Sequence, residues 1–527
     1  MDTEEQIRLA GNLRKSLEAT SPSGQVDLFE THISYVLLTG EFAYKIKKAV
    51  TLDFLDFSTL EKRRFYCQEE FRLNQRFSSG LYIDVVPITG TTESPHLGAP
   101  GTPIEYAVKM REFPQTCLAD CLIREGALLP AHVVSIAQRL ADCHASASRE
   151  NPARGYGSGE MVSGQLAATL DGIRALLDDE QDLRDLAWLS GWCKHELAAK
   201  SAQIEARRNR GYVRECHGDL HLGNIAILEG QAAFFDCIEF NDAFRCIDVM
   251  SDLAFVAMDL HAHQRHDLCY LLLNTYLELT GDHGGLAVLR FYLVQRALIR
   301  CHVALLRHRQ GASAGADKVP DYLDAAMAWA RPARPFMLLM HGLSGSGKTK
   351  VSGKLMQVFE AVRIRSDVER KRLPRQEEEG ESGKSIGQNL YTAAHTGATY
   401  CRLLQLAQFL LEEGFNVIVD ACFLMAEQRR PFMTLAKLHD TPFAILDVTA
   451  DEQLMRQRIL RRAAKGRDAS DADIAVLDQQ IRTQEHFDAD ESTAVVAYAS
   501  QDGKNIDMND SAYQVLEQCL TVLREAR

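Results

Sequence analysis

The spacing of apolar and polar residues differs between three regions of the chain, and the first region lies near the N-terminus. Residues 33–48 hold two mainly apolar segments around a Thr39-Gly40-Glu41 turn, which predicts a pair of strands. Residues 59–77 place apolar side chains among many charges, as in a half-buried helix, and a further strand is predicted over residues 106–113. This order predicts a small lobe of strands with one helix.

The spacing becomes mostly helical from about residue 130 to residue 310. Two short apolar runs, residues 225–228 and 232–235, interrupt it on either side of a Glu229-Gly230 turn and predict a second hairpin. Residues 310–318 are small, polar and glycine-rich, as linkers are. A short helical segment follows at residues 322–330.

The last third of the chain has a third pattern. Residues 336–341 are apolar at consecutive positions, which is typical of a central parallel strand buried on both faces. Further apolar runs at residues 416–420, 443–448 and 494–498 alternate with helical patterns and predict a doubly wound α/β domain. We therefore place a first domain at residues 1–315, a linker at 316–333 and a second domain at 334–527.

Composition narrows the class of protein. A chain of 527 residues exceeds what one hydrophobic core organises, and its net charge of −13 argues against general affinity for nucleic acid or anionic membranes. The 13 cysteines form no CxxC pair, and no apolar run approaches the roughly 20 residues that span a bilayer. We expect a cytoplasmic protein with reduced cysteines and no membrane partner.

Residues 217–224 (HGDLHLGN), followed by Phe235-Asp236, resemble the catalytic core of the aminoglycoside phosphotransferase and choline kinase-like family. The resemblance implies that Asp219 orients and deprotonates an acceptor hydroxyl, while Asn224 and Asp236 hold magnesium on the ATP phosphates. Carboxylate and amide oxygens suit this chemistry because phosphoryl transfer depends on positioning and charge neutralisation more than on a strong nucleophile.

Upstream, Ala43-Tyr44-Lys45 resembles the Ala-x-Lys of the third kinase strand. Lys45 is therefore the candidate contact to the α- and β-phosphates, although Lys47 lies on the same strand face and stays open. The expected helix partner is Glu70 or Glu69. Adjacent residues point about 100° apart on a helix, so only one of the two can pair.

The same segment has two other interpretations. Its aspartate and asparagine could cap a helix in an ordinary loop, or Cys216, His217 and His221 could bind a metal, although that ligand set is incomplete. Asp248 and Asp252 lie beyond the predicted metal aspartate, and we interpret them as structural acids.

Residues 342–349 (GLSGSGKT) match the P-loop pattern GxxxxGK[ST], with an apolar strand before them and a helical pattern after them. Backbone N–H groups of such a loop surround the β-phosphate, the lysine bridges the β- and γ-phosphates and the threonine binds magnesium. The candidate residues are Gly342, Leu343, Ser344, Gly345, Ser346, Gly347, Lys348 and Thr349. Asp420, which ends the predicted strand NVIVD, is a candidate Walker-B type metal ligand or a buried structural acid.

Arg365-Ser366-Asp367 resembles the acceptor-binding element of small P-loop kinases such as gluconate kinase, adenylylsulfate kinase, the zeta toxins and polynucleotide kinases. The resemblance implies that Asp367 orients the acceptor. Arginines after the predicted strand at residues 443–448 lie where these kinases carry a lid that neutralises the transferring phosphoryl group, or else they form a solvated basic helix. They are Arg456, Arg458, Arg461, Arg462 and Arg467, with Arg461 the candidate nucleotide contact and the choice among them open.

The two motif sets together resemble the bacterial fusions named bifunctional aminoglycoside phosphotransferase/ATP-binding protein. The expected fold is an α+β protein-kinase-like bilobal domain followed by an α/β doubly wound P-loop NTPase domain. The expected function is magnesium-dependent ATP phosphotransfer to small hydroxylated acceptors, with a separate ATP site in each domain. One alternative is a nucleic-acid 5′-hydroxyl kinase, because residues 363–375 carry six basic side chains against two acidic ones. Another is that one domain is a degenerate nucleotide sensor.

Overall fold

A computed structural model of the chain describes residues 3–19, 24–52, 55–309, 321–373, 393–465 and 472–521. The chain divides into two compact units, Met1–Gln264 with Ala287–Ala330 and Arg265–Leu286 with Arg331–Arg527. The glycine-rich segment at residues 310–318 lies outside the described residues, whereas residues 321–333 of the predicted linker are described and include a helix at Tyr322–Ala330. The units differ from the predicted division in that residues 322–330 belong to the first and Arg265–Leu286 to the second.

A six-stranded antiparallel sheet with the order β1-β2-β3-β8-β6-β7 forms the N-terminal part of the first unit. The strands of the unit are β1 (Asp27–Glu30), β2 (Ser34–Leu38), β3 (Phe42–Lys47), β4 (Thr51–Leu52), β5 (Leu55–Asp56), β6 (Tyr82–Gly90), β7 (Pro95–Leu97), β8 (Pro103–Arg111), β9 (Val213–Glu215), β10 (Ile225–Leu228), β11 (Gln231–Phe234) and β12 (Cys246–Asp248). The predicted hairpins are confirmed as β2 with β3 and as β10 with β11.

The helices of the first unit are α1 (Thr3–Glu18), α2 (Leu60–Phe77), α3 (Ala119–Arg124), α4 (Pro130–Ser146), α5 (Gly159–Arg174), α6 (Glu180–Ala199), α7 (Ser201–Asn209), α8 (Asp242–Arg245), α9 (Val249–Ala262), α11 (Leu286–Arg309) and α12 (Tyr322–Ala330), while α10 (His266–Thr280) is described with the second unit. The predicted helix over residues 59–77 is confirmed as α2, which begins where the Thr59 hydroxyl accepts a hydrogen bond from Lys62 N–H. Its buried face carries Cys67, Glu70 and Leu73 at helical spacing, so that a carboxylate is built into the core.

The second unit is built on a five-stranded parallel sheet with the order β14-β15-β13-β16-β17. Its strands are β13 (Met337–His341), β14 (Ala361–Arg365), β15 (Asn416–Asp420), β16 (Phe443–Thr449) and β17 (Val495–Ala499). Its remaining helices are α13 (Lys348–Val358), α14 (Ser366–Arg372), α15 (Ala393–Glu412), α16 (Ala426–Leu438), α17 (Glu452–Lys465), α18 (Ile474–Thr483), α19 (Ala489–Ser492) and α20 (Ser511–Thr521). Strands β14 and β15 lie on one side of β13, and β16 and β17 lie on the other, as in a doubly wound sheet. In such sheets ligands bind at the carboxyl ends of the strands on either side of this switch point.

Helix α10 closes the β14 edge of this sheet. The Asn274 side chain donates to Ala361 O at 2.9 Å and accepts from Arg363 N–H at 2.6 Å, so it pairs with β14 as a neighbouring strand does. The described part of the chain contains no helix long and apolar enough to cross a membrane.

Candidate functional site

A cavity of about 1240 Å³ in the first unit contains four of the predicted site residues. Lys45 reaches it from β3, and Asp236 reaches it from the segment after β11. Asp219 and Asn224 line it from the loop between β9 and β10. Antiparallel pairing of β10 with β11 returns the chain to the start of the hairpin, so residues on both sides of the hairpin meet at one wall of the cavity.

The carboxylate of Asp252 anchors the loop that carries Asp219. This carboxylate accepts backbone hydrogen bonds from His217 N–H at 3.1 Å and Gly218 N–H at 2.9 Å, and it lies 3.2 Å from His144 Nε2. Burial raises the pKa of Asp252, but the hydrogen bond to His144 and the loop amides outweigh burial and bring the pKa to about 2. The carboxylate is therefore an ionised anchor for the loop.

Metal binding by the loop histidines receives no geometric support. His217 Nε2 lies 2.9 Å from Phe235 O, and His221 Nδ1 accepts from Gly223 N–H at 3.0 Å. Among the described residues, the one compact group of possible metal ligands is His144, Cys216 and Asp252, in which both Asp252 oxygens already accept hydrogen bonds from the backbone of the loop. We interpret this group as part of the loop support.

The two predicted metal ligands are oriented by hydrogen bonds to their neighbours. Asn224 Nδ2 donates to Asp219 O at 2.9 Å, and Asn224 O accepts from Phe235 N–H at 3.1 Å. Asp236 has a left-handed backbone with φ of 61°, and its N–H donates to the Tyr82 hydroxyl at 3.0 Å. These bonds orient the asparagine and the aspartate at the cavity that Asp219 also lines.

Two lysines of β3 share one buried carboxylate. Lys45 Nζ donates to Glu70 Oε1 at 2.9 Å and contacts Asp236, while Lys47 Nζ donates to Glu70 Oε2 at 2.6 Å and contacts Glu239. Lys45 lines the cavity, whereas Lys47 is fully buried behind it. The structure therefore brings both lysines to Glu70, and only Lys45 has access to a ligand.

The electrostatics of this network favour fixed charges. Burial lowers the pKa of Lys45, but Asp236 and Glu70 outweigh burial and hold that pKa well above its usual range. Burial raises the pKa of Asp236, and Lys45 in turn lowers it below its usual value. Glu69, the other sequence candidate, lies on the outer face of α2 and pairs with Arg72 at 2.8 Å.

A cavity of about 460 Å³ in the second unit is lined by Lys348, Thr349, Asp367 and Asp420. The P-loop between β13 and α13 forms one wall, and its shape depends on glycine. A Cβ atom on Gly345, whose φ is 82°, would lie 2.7 Å from Met455 O. Lys348 Nζ donates to Gly342 O at 2.7 Å and Leu343 O at 2.8 Å, so the lysine lies across its own loop.

Asp420 ends β15 beside the P-loop. Its buried carboxylate accepts a hydrogen bond from Ser352 Oγ at 2.9 Å. Ser352 lies about one helical turn after Thr349 on α13. Asp367 also lines the cavity, and its Oδ1 lies 3.4 Å from Arg370 Nη2. The structure therefore brings the predicted metal and acceptor residues of this unit into one cavity.

The arginines of α17 separate into two groups. Arg458 Nη1 donates to Ser346 O at 3.0 Å and, together with Arg462, lines the cavity. Arg461 is exposed, pairs with Asp502 at 3.1 Å and does not line the cavity. Arg461, the candidate nucleotide contact, is therefore turned away from the P-loop by its position on the helix. Arg456 pairs with Glu452, and Arg467 lies outside the described residues.

Two neighbours of this cavity were not predicted. Glu278 on α10 accepts from Arg363 Nη2 at 2.6 Å and Arg365 Nη1 at 3.2 Å, and Arg365 lines the cavity. Gln480 on α18 accepts from Ser344 N–H at 2.8 Å. Local sequence gives no sign of either contact, because Glu278 precedes Arg365 by 87 residues and Gln480 follows Ser344 by 136.

The chain is similar in sequence to a protein family and to mycobacterial proteins. Residues 337–487 match the family described as AAA domain. The uncharacterized protein Rv2004c of Mycobacterium tuberculosis is 30% identical over 459 residues, which cover 85% of this chain and 89% of that protein. The chain belongs to the family of this mycobacterial protein.

Two solved structures illustrate the similarity to known folds. A choline/ethanolamine kinase family protein from Mesorhizobium loti is 13% identical, with 61% of this chain and 93% of that chain covered and a TM-score of 0.37. The APS kinase CysC of Mycobacterium tuberculosis is 17% identical, with 36% and 99% covered and a TM-score of 0.23.

Proposed function

We propose that this protein is a two-domain, magnesium-dependent ATP phosphotransferase that acts on small hydroxylated acceptors, with one ATP site in each unit. The observation that carries the proposal is the convergence of Lys45, Asp219, Asn224 and Asp236 in one cavity from three separate segments of the chain. Ordinary loop-capping residues need no such convergence, whereas phosphoryl transfer needs a cation for the phosphates, oxygen ligands for a metal and a base for the acceptor.

In the first unit, Asp219 orients the acceptor hydroxyl and accepts its proton. Lys45 contacts the α- and β-phosphates and is itself held by the buried Glu70, to which it donates at 2.9 Å. Lys47 donates to Glu70 without reaching the cavity, and it contacts Glu239, which does line the cavity. This division of roles follows from access to the cavity, because a side chain that cannot touch a ligand acts through its neighbours.

The residues around the phosphate positions fit magnesium. Asn224 uses its amide nitrogen on Asp219 O, which leaves the amide oxygen for a ligand, and Asp236 supplies a carboxylate whose pKa is lowered by Lys45 against the opposing effect of burial. Oxygen donors of this kind are the ones that magnesium prefers. Bound there, magnesium neutralises phosphate charge.

In the second unit, the P-loop cradles phosphates with its backbone N–H groups and Lys348 supplies the positive charge. Lys348 already lies against Gly342 O and Leu343 O, from which it can turn to a phosphate. Thr349 and Asp420 are the candidate magnesium residues, and Asp367 the acceptor-orienting acid. Arg458 replaces Arg461 as the proposed lid contact because Arg458 donates a hydrogen bond to Ser346 O of the P-loop.

Ion pairing in the basic segment favours a small acceptor over a polynucleotide end. Arg363 and Arg365 pair with Glu278, and Arg372 pairs with Glu369. Cations that are neutralised by adjacent carboxylates contribute little to binding a phosphate backbone. Arg375 of the same predicted segment lies outside the described residues.

The proposal is tested by transfer from labelled ATP in the full-length chain that carries Lys348→Ala, which disables the second site. Asp219→Ala is expected to lower transfer to sugars, aminoglycosides, nucleosides or water by roughly 10²–10⁴-fold and to leave the affinity for AMP-PNP unchanged, because Asp219 contacts the acceptor and not the nucleotide. Asp171→Ala, an exposed aspartate on α5, is the matched control. Equal activity of the Asp219 and control variants would reject the assignment of the base.

A further inference from the structure

The cavity of the first unit continues beyond Asp219 along one face of α11. Arg300, Val303 and Arg307 line it from that helix. Their spacing of three and then four residues places them on the same side of the helix, about 10 Å from end to end. This wall therefore presents two guanidinium groups with an apolar side chain between them.

Two acidic residues of other helices that line the same cavity already have partners. Asp259 accepts from Leu222 N–H at 2.9 Å and from the Tyr322 hydroxyl at 2.9 Å. Asp120 lies 3.5 Å from Arg124 Nε and 3.9 Å from His263 Nε2. Neither carboxylate is thus left to bind a positively charged acceptor without giving up contacts.

The two arginines of α11, unlike these acids, lack a partner of opposite charge among the described residues. Within the described ranges, neither Arg300 nor Arg307 forms an ion pair with a carboxylate. Arg300 Nη2 donates to the Tyr322 hydroxyl at 3.4 Å, and its Nε is buried without an acceptor. A buried donor without an acceptor is uncommon in folded proteins and often marks a place that a ligand or water occupies.

Arg300 also lies within electrostatic range of the proposed base. Burial lowers the pKa of the guanidinium, but neighbouring groups, Tyr322 first and Asp219 among them, outweigh burial and raise it. Arg300 and Asp219 line the same cavity, so a group bound by Arg300 lies in the cavity that contains the proposed base.

We propose that the acceptor of the first unit is a hydroxylated molecule that also carries an oxyanion, a carboxylate or a phosphate, which Arg300 and Arg307 bind. This inference rests on the proposed function of the first unit. In the reaction the acceptor oxygen forms a bond to the terminal phosphorus of ATP, the bridging P–O bond breaks, ADP leaves with the electron pair and Asp219 takes the hydroxyl proton. An amine in the same place would face two positive charges, which disfavours cationic acceptors.

A purely structural role for Arg300 makes a different prediction. If Arg300 only supports Tyr322 and Asp259, its replacement lowers stability and leaves the choice among acceptors unchanged. If it binds an oxyanion, its replacement changes that choice. The ratio of kcat/KM values for matched acceptors therefore separates the two roles.

The test uses the full-length Lys348→Ala chain, labelled ATP and two matched sets of probes. The three-carbon set is glycerate, glycerol 3-phosphate, glycerol and 3-amino-1,2-propanediol, and the six-carbon set is gluconate, glucose 6-phosphate, glucose and glucosamine. We expect the carboxylate or the phosphate member of a set to exceed its neutral member in kcat/KM by at least roughly tenfold and its amine by more, because hydrogen bonds between charged groups are the strong ones. The comparison of the two anionic members identifies which oxyanion is bound.

Arg300→Gln is expected to reduce this preference by roughly ten- to hundredfold without changing the KM for ATP. Arg300→Lys keeps the charge and should retain part of it, which preserves the test if the glutamine variant fails to fold. Arg309→Gln, on the same helix and outside the cavity lining, is the control.

Preference for a neutral or amine acceptor, or an unchanged preference in folded Arg300→Gln, would overturn the inference. Transfer to none of the eight probes, with AMP-PNP still bound, would contradict the oxyanion acceptor alone. Failure of the first unit to bind AMP-PNP would contradict the proposed function itself.

Discussion

The two cavities are built on different physical principles. The cavity of the first unit depends on side chains from distant segments, in which Lys45, Lys47, Glu70 and Glu239 form a buried charge network. The cavity of the second unit depends on one continuous backbone loop, and among the described residues Lys348 donates only to carbonyl oxygens of that loop. Removal of the shared carboxylate of Glu70 from this network should therefore damage the fold, whereas removal of Lys348 from the second cavity should affect ligand binding alone.

The largest expected effect on stability comes from Glu70→Ala. This change leaves Lys45 and Lys47 without their shared carboxylate in a buried place, and breaking a buried ion pair costs about 3–5 kcal/mol. Urea unfolding, followed by hydrogen exchange in β3, should report the loss. Glu69→Ala is the control, because exposed pairs contribute about 0–1 kcal/mol. Lys348→Ala should leave stability nearly unchanged, and a loss equal to that of Glu70→Ala would remove the contrast between the two cavities.

A second prediction concerns the acid limb of stability in the first unit. Asp252 has a folded pKa of about 2, lowered from 3.8, so its contribution is complete above about pH 4 and is lost as pH falls through about 2. The contribution at neutral pH is about 2–3 kcal/mol. The difference in unfolding free energy between wild type and Asp252→Asn should therefore shrink across this range. Asp171→Asn should give a difference that does not vary with pH in this way, and a flat difference for Asp252→Asn would refute the anchor role.

The smallest effect is expected at the sheet edge of the second unit. Asn274→Ala leaves Ala361 O and Arg363 N–H without their partner, at a cost of about 1–3 kcal/mol. Faster amide exchange at Arg363 should accompany the loss. Thr275→Ala, which removes only a hydroxyl bound to Leu271 O in its own helix, is the control. Unchanged exchange at Arg363 would mean that α10 does not support β14.

Prediction from sequence succeeded where local pattern determines structure. The hairpins β2–β3 and β10–β11, helix α2 and the strands of the parallel sheet follow from alternation, helical spacing and apolar runs. The P-loop could be placed on its strand and helix for the same reason, since all of its residues are contiguous.

Partners distant in sequence could not be predicted in this way. The sequence left Lys45 and Lys47 open because both lie on one strand face, and access to the cavity depends on how α2 packs. Glu239, Glu278 and Arg458 were missed or not singled out because their partners lie far away in the chain. Helix α10 reads as part of the helical middle region, and only tertiary contact with β14 assigns it to the second unit.

The central claim is that each unit binds its own nucleotide, and equilibrium dialysis with magnesium and AMP-PNP tests it most directly. The wild-type chain should bind two nucleotides, Lys348→Ala one, Asp236→Ala one, and the double variant none, because each change removes a phosphate or metal contact in one cavity only. A wild-type stoichiometry of one, or loss of both nucleotides from either single change, would contradict the account.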